Sequence, residues 1–241
     1  MCFLCYNFIM KKSVINTLLG LAVIIAFVYY EYYPKNDDIP FDNETVYVNE
    51  IPDYSDKEVI VLNNNEPEFD ESDINDKSFE TYGELDKLGR CTYAYANIGI
   101  DLMPTKERER ISSIKPTGWH YIKYDFIEDE LLYNRCHLIA YQFTAENNNK
   151  NNLITCTRHT NYDLMREYEN KIGNYIRKTH NHVLYRVTPI FDNDNLIAKG
   201  IQLEALSTHD NGKDIKFNVF IYNIQPGIII DYKTGNSSIS N

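Results

Sequence analysis

The chain has 241 residues, 43% of them hydrophobic, which is enough for one domain with a packed core and appended segments. Its formal net charge of −11 argues against a protein that binds nucleic acid over its whole surface, because phosphate binding depends on positive charge. The acidic excess lies in residues 1–90, however, whereas residues 91–241 are neutral overall and residues 131–187 carry more basic than acidic side chains. A nucleic-acid site in the C-terminal part is therefore not excluded.

The N-terminal segment predicts membrane targeting. Residues 13–30 contain no charged side chain, and two lysines precede them. The run is at the short end for a spanning helix and no clear cleavage site follows it, so we favour a signal anchor over a cleaved signal peptide within residues 1–33. Residues 34–57 are acidic and lack helical periodicity, which predicts an extended tether.

The main domain is predicted to span residues 58–235 and to begin with short strands and turns. Apolar and β-branched residues predict strands, and charged residues near possible caps predict short helices. The predicted elements are a strand at 58–62, a short helix or turn at 79–88, a strand at 91–100, an exposed helical turn at 105–111 and a strand at 119–127.

The rest of the domain predicts a strand, a loop, a helix and a sheet. Residues 130–143 should supply a strand and a loop, and the Asn-rich residues after them a surface loop. Apolar side chains at three- and four-residue spacings predict an amphipathic helix over 161–180. Three antiparallel strands follow at 182–191, 196–206 and 215–224, with Asn211-Gly212 in the last hairpin, and residues 236–241 should fray. The fold class is thus α+β with an antiparallel sheet.

Polar residues between 132 and 170 form a candidate site for phosphodiester hydrolysis. His137 is a candidate general base, because the unperturbed pKa of His lies near neutral pH. Arg135 could neutralise a phosphate or form a structural ion pair, and Asn152 ends the Asn-rich loop. Asn161 and Glu169 are eight residues apart, so a helix would place both on one broad face.

A divalent cation would suit these residues. Mg²⁺ prefers oxygen ligands and keeps several waters, so the amide oxygen of Asn161 could be a sufficient protein ligand. Asn is also a favoured N-cap residue, so Asn161 could instead cap the following helix. Mn²⁺ is the alternative metal to Mg²⁺.

The segments NRCHLIAYQ and KNNLI, together with the Asn and Glu that follow at spacings of nine and eight, resemble the DNA/RNA non-specific endonuclease family, in particular its DNA-entry nuclease branch. The resemblance covers roughly residues 51–235 and implies a ββα-metal finger. It implies that His137 is the general base, that Asn161 is the direct metal ligand and that Asn152 supports the site. It further implies that Glu169 orients metal-bound water and that Arg135 is the arginine of the D-R-G-H signature.

Two residues depart from that signature. Asn134 stands where the family has Asp and keeps a hydrogen-bond acceptor, and Cys136 stands where it has Gly. Cys91, Cys136 and Cys156 lack C-x-x-C spacing, which argues against a zinc site. We expect a disulfide between Cys91 and Cys136 if the domain lies outside the cytoplasm.

The resemblance implies a Mg²⁺-dependent endonuclease that cuts DNA, and RNA as well, with little sequence preference. The domain would be anchored at the membrane and face outward, or be secreted. Nutrition, DNA uptake and action as a toxin all remain open as roles, and a toxin would require an immunity protein. The alternative is a domain that kept the fold, lost activity through the N-R-C-H change, and binds nucleic acid or a surface partner.

Overall fold

A six-stranded antiparallel sheet is the largest element of the structure. The structure is a computed structural model that describes residues 45–240 apart from residues 110 and 112. The strand order is β1-β8-β7-β6-β3-β2. Its strands are β1 (Val59–Val61), β2 (Phe79–Tyr82), β3 (Ala94–Ile98), β6 (Val183–Ile190), β7 (Gly200–Ser207) and β8 (Lys216–Tyr222). The three long C-terminal strands lie side by side, as their alternating apolar residues and the Asn211-Gly212 turn predict.

A hairpin and a long helix pack on this sheet. The hairpin joins β4 (Tyr133–His137) to β5 (Leu153–Thr157), with a single turn of helix, α1 (Tyr141–Thr144), between them. A π-helical segment, His159–Met165, then leads into α2 (Arg166–Thr179). The buried core joins β3, β6, β7 and β8 to residues of the hairpin and to the apolar face of α2. The strand, strand, helix unit predicted for the site is therefore present and rests on the sheet.

A second hairpin closes the chain. Strands β9 (Ile228–Ile230) and β10 (Ser237–Ile239) pair with each other, and Ile228 packs against a small apolar cluster that includes Trp119 and Tyr133. The prediction that residues 236–241 fray is therefore wrong for Ser237–Ile239. Pairing with β9 gives this polar segment backbone hydrogen bonds that its own sequence does not signal.

Other local predictions also differ from the structure. The segment predicted as a short helix or turn at 79–88 begins with strand β2, because pairing with β3 outweighs the helical preference of its Glu and Leu residues. Residues 105–111 form no helical turn where they are described. Residues 119–127 form a loop rather than a strand, with one bridge between Lys123 and Leu131. The side chains that pack on the small cluster do not alternate along the segment as those of a strand would; they are Trp119, Ile122, Tyr124 and Ile127.

The structure describes only part of the segment to which the N-terminal predictions refer. The predicted membrane segment at 13–30 lies outside the described residues, and among residues 45–240 no helix is long and apolar enough to cross a membrane. The described end of the predicted tether, residues 45–57, packs on the domain instead of extending from it. Val46 bridges to Leu62, and the Tyr222 hydroxyl donates to the carbonyl of Pro52 at 2.9 Å.

Candidate active site

His137 lies at the end of β4 with its imidazole buried. Its Nε2 donates to the carbonyl of Asn147 at 2.9 Å, which leaves Nδ1 as the unprotonated nitrogen of the neutral ring. The Arg108 Nη2 donates to Nδ1 at 3.1 Å. Burial lowers the pKa of His137 to about 4, the Asn147 bond raises it and the Arg108 charge lowers it. The imidazole is therefore neutral at neutral pH, as a general base requires.

Asn152 supports the backbone that follows His137. Its buried amide accepts from the N–H of Ile139 at 2.9 Å and donates to the Ile139 carbonyl at 3.0 Å, while its own carbonyl accepts from Leu138 N–H at 2.9 Å. Asn152 is fully buried and these partners are all internal to the protein, so its side chain is not placed to contact a substrate. Asn152 thus fixes the position of the backbone that follows His137.

Asn161 and Glu169 face the cleft beside His137. Both line a cavity of about 260 Å³ together with His137 and Arg135. Asn161 lies inside the π-helical segment, not at a helix start, so it does not act as an N-cap. Among the described residues, the Asn161 amide has no hydrogen-bond partner, and its oxygen is therefore available to a ligand.

The carboxylate of Glu169 has an unusual environment. Its side chain is only partly exposed, and burial raises its pKa to about 7, while the positive charges of Arg108 and Arg166 lower it. It projects from the first turn of α2, two helical turns beyond Asn161. The cleft therefore combines a neutral imidazole, an amide oxygen, a carboxyl group and several guanidinium groups.

These groups fit a divalent cation that binds mainly through oxygen and keeps some of its water. Within the described part of the chain, no group of three or more His, Cys, Asp or Glu side chains is placed to hold a metal. Asn161 and Glu169 offer hard oxygen donors in one cleft, which suits Mg²⁺ more than a metal that requires a complete set of protein ligands. We therefore expect Asn161 to hold the ion, with Glu169 nearby.

Arg135 is held at the boundary of two cavities. Its guanidinium stacks on the ring of Trp119 at 4.0 Å, and its Nε donates to the carbonyl of Ile114. It lines the cleft of His137 and also a larger adjoining cavity of about 630 Å³. Trp119 is partly buried against the small apolar cluster, and its contact with Arg135 places it beside the site.

Arg108 is a site residue whose placement the sequence did not reveal. Arg90 and Arg108 both carry a positive charge that could contact phosphate, but of the two only Arg108 lines the cleft. Arg90 is paired with Asp86 and lies over the ring of Phe191, outside the cleft. Arg108 reaches His137 because its loop is held in place: Tyr141 donates to the carbonyl of Lys106 at 2.9 Å, and Asn147 donates to that of Glu109 at 3.0 Å.

The disulfide joins Cys136 to Cys156, with the Cα atoms 5.9 Å apart, and the predicted pairing of Cys91 with Cys136 is wrong. Cys136 and Cys156 lie diagonally across the β4–β5 hairpin, two positions apart in register. Cys91 is a free thiol buried against the carbonyls of Lys150 and Leu153, and burial raises its pKa to about 11. Cys136, which stands where the family signature has Gly, therefore links β4 to β5, the two strands beside the site.

Comparison with known proteins identifies relatives of this fold. Residues 71–209 match the family model for DNA/RNA non-specific endonuclease. The magnesium-bound NucA from Streptococcus agalactiae is similar, with 27% identity and a TM-score of 0.66 over 76% of this chain and 86% of that chain. NucA with no metal bound gives 25% identity and a TM-score of 0.69 over 80% and 92% of the two chains.

A third similar structure is the Sda1 nuclease with a bound zinc ion. It shares 26% identity and a TM-score of 0.58 over 67% of this chain and 82% of that chain. The family match extends over more than half of the chain and includes β4, β5 and the residues of the cleft. The chain belongs to the DNA/RNA non-specific endonuclease family.

Proposed function

We propose that this nuclease is a metal-dependent endonuclease that hydrolyses phosphodiester bonds of DNA and RNA with little sequence preference, outside the cytoplasm. The observation that carries the proposal is the convergence of His137, Asn161, Glu169 and Arg135 on one cleft. A neutral base, an oxygen donor for a cation and a cation for phosphate are the parts that phosphodiester hydrolysis requires.

His137 would take the proton from the attacking water through Nδ1, because Nε2–H is committed to the Asn147 carbonyl. In the structure Arg108 donates to that same Nδ1. A phosphate entering the cleft offers the Arg108 guanidinium a charged acceptor in place of the neutral nitrogen, and charge-assisted hydrogen bonds are the stronger ones. Substrate binding would thereby free Nδ1 for the water.

Asn161 would hold the cation, and the Glu169 carboxylate would accept hydrogen bonds from water molecules around the ion and so orient them. When bound, a divalent cation would offset the negative charge that builds on the phosphate and on the leaving oxygen. Mg²⁺ is the proposed ion because both donors are oxygens and because the similar NucA structure has magnesium bound. Mn²⁺ would be accepted as well. Attack in line with a 3′ leaving oxygen would yield a 5′-phosphate and a 3′-hydroxyl.

Low sequence preference and activity on RNA follow from the kind of contact available. The cleft presents guanidinium and amide groups, which contact phosphates, and contacts to the backbone carry no direct sequence information. A location outside the cytoplasm is supported by the Cys136–Cys156 disulfide, since structural disulfides persist in oxidising compartments.

The test uses the purified protein with plasmid DNA and with RNA, in Mg²⁺ or in excess chelator. We expect degradation of both substrates in Mg²⁺ and none in chelator. The His137→Ala variant should degrade neither substrate in Mg²⁺. The exposed histidine variant His209→Ala is the matched control and should cut normally. A folded wild-type protein that binds DNA but cleaves neither substrate, with Mn²⁺ also tried, would favour the binding-module alternative.

A further inference from the structure

The larger cavity beside the catalytic cleft has no role in the chemistry described above. It has a volume of about 630 Å³ and shares Arg108 and Arg135 with the cleft, so the two cavities adjoin at these side chains. Further residues that line it are Lys115, Trp119, His120 and Tyr121. We call this cavity the aromatic groove.

The charges of the aromatic groove suit a polyanion. Arg108, Lys115 and Arg135 face it, and among the described residues that line it Glu109 is the one acidic side chain. Lys115 is exposed and makes no ion pair with any residue that the structure describes. The groove thus extends the positive surface of the catalytic cleft in one direction, although the chain as a whole is acidic.

The wall that carries the aromatic side chains is held by several contacts to other elements. Thr117 donates to the carbonyl of Leu196 at 2.7 Å, and its own carbonyl accepts from Thr155 at 2.8 Å. Gly118 and Gly235 approach so closely that a Cβ on Gly235 would lie 2.1 Å from the Gly118 carbonyl oxygen. The loop is therefore positioned before any ligand arrives, which reduces the entropy cost of binding.

Tyr121 is the exposed aromatic of this wall, with 71% of its surface accessible, although large aromatic side chains are usually more buried. An exposed ring beside cations is the arrangement with which proteins bind single-stranded nucleic acid, since a base can stack on the ring while its phosphate meets the cation. Paired bases keep their faces stacked within the duplex, so only an unpaired base can use the ring in this way.

We propose that the aromatic groove is a binding site for an unpaired nucleic-acid strand next to the scissile phosphate, with Tyr121 stacking on a base and Lys115 contacting a phosphate. This inference rests on the proposed nuclease function and adds a preference for single-stranded substrate. The groove contributes to binding and leaves the chemical step to the neighbouring cleft.

The experiment compares Tyr121→Ala, Tyr121→Phe and the control Tyr93→Ala, whose tyrosine is exposed but lines neither cavity. The substrates are an unstructured single-stranded DNA, a duplex of the same sequence, and bis(p-nitrophenyl) phosphate as a minimal diester. For the single strand, Tyr121→Ala should raise KM about tenfold with kcat nearly unchanged, since loss of one stacked base is of this order. Tyr121→Phe and Tyr93→Ala should behave as wild type.

The duplex and the minimal diester separate this proposal from the nuclease proposal. Tyr121→Ala should change KM for the duplex less than about threefold and leave hydrolysis of the minimal diester unchanged. An unchanged KM for the single strand, or an equal increase for single strand and duplex, would overturn the proposal while the nuclease function stands. If the wild type cleaves nothing, fluorescence anisotropy of the labelled single strand in chelator still decides the point, because Tyr121→Ala should weaken its binding about tenfold.

Discussion

At the scale of single residues, the hydrogen bonds of His137 decide which nitrogen can act. Nε2 is committed to the Asn147 carbonyl and Nδ1 faces Arg108, so the base is directed toward the interior of the cleft. The residue two positions earlier, Arg135, points toward the aromatic groove and Trp119. Of these two residues of one short motif, His137 lines only the cleft, whereas Arg135 lines both cavities.

The titration of His137 provides a first prediction. Because burial lowers its pKa to about 4, the imidazole should titrate well below the ordinary range of histidine, and it should be neutral throughout the physiological range. Arg108→Gln removes a positive charge and should raise this pKa, although burial should still keep it below that of a free histidine. The measurement is an NMR titration of the imidazole signals in metal-free protein.

A His137 midpoint at the ordinary histidine value would contradict the buried, neutral base. Protonation of His137 at low pH would remove the free lone pair, so the same shift predicts that this group does not limit activity between neutral pH and about pH 5.

Asn161 provides a second prediction, on metal binding. Asn161→Ala removes the amide oxygen and should raise the Mg²⁺ concentration for half-maximal activity by about tenfold or more, since few protein oxygens hold the ion. Asn161→Asp keeps an oxygen and adds negative charge, so it should bind Mg²⁺ at least as tightly as wild type. Equal Mg²⁺ requirements in wild type and Asn161→Ala would exclude Asn161 as the ligand.

At the scale of elements, the β4–β5 hairpin and the π-helical segment position the site. The hairpin carries His137 and Asn152, and its register brings Cys136 within disulfide distance of Cys156. The π-helical segment carries Asn161, and such segments are frequent at functional sites because they direct a side chain where a regular helix would not. The sheet beneath supplies a rigid base for both elements.

The disulfide provides a third prediction. Removing it with Cys136→Ala/Cys156→Ala should lower the free energy of unfolding by about 3 kcal/mol, the value expected for a loop closed across 20 positions. Thermal denaturation with and without reductant is the measurement. Cys91→Ala, which removes the free buried thiol, should keep the sensitivity to reductant, whereas the double variant should lose it.

At the scale of the whole molecule, the distribution of charge matters more than its sum. The chain has a net charge of −11, yet the cleft and the aromatic groove present Arg108, Lys115, Arg135 and Arg166. An acidic protein can bind nucleic acid in this way because the Debye length is about 8 Å at physiological salt, so acidic side chains farther than this from the bound phosphates are largely screened.

Salt dependence provides a fourth prediction. With only a few cationic contacts to phosphate, binding of DNA to the inactive His137→Ala variant should weaken by roughly one to two orders of magnitude between about 50 and about 200 mM salt. Lys115→Ala should make the plot of log affinity against log salt less steep, by the amount expected for the loss of about one phosphate contact. A slope as steep as that of extended DNA-binding surfaces would contradict binding confined to these two cavities.

The sequence by itself determined the local features of this protein. The strands at 182–191, 196–206 and 215–224 follow from alternating residues, and the helix after Asn161 follows from its apolar spacing. The set of His137, Asn152, Asn161 and Glu169 could be named because its members lie within one stretch at spacings that resemble those of the DNA/RNA non-specific endonuclease family. Local patterns of this kind are visible in sequence because each depends on near neighbours.

Tertiary structure decided what depends on distant residues. Arg108 reaches His137 only through a loop held by Tyr141 and Asn147, and no spacing rule predicts such a contact. The partner of Cys136 was set by strand register, and β2 and β10 form because a neighbouring strand supplies their hydrogen bonds. The physical reason is the same in each case: the stabilising partner is far away in sequence, so the energy that selects the structure cannot be assessed from the local segment.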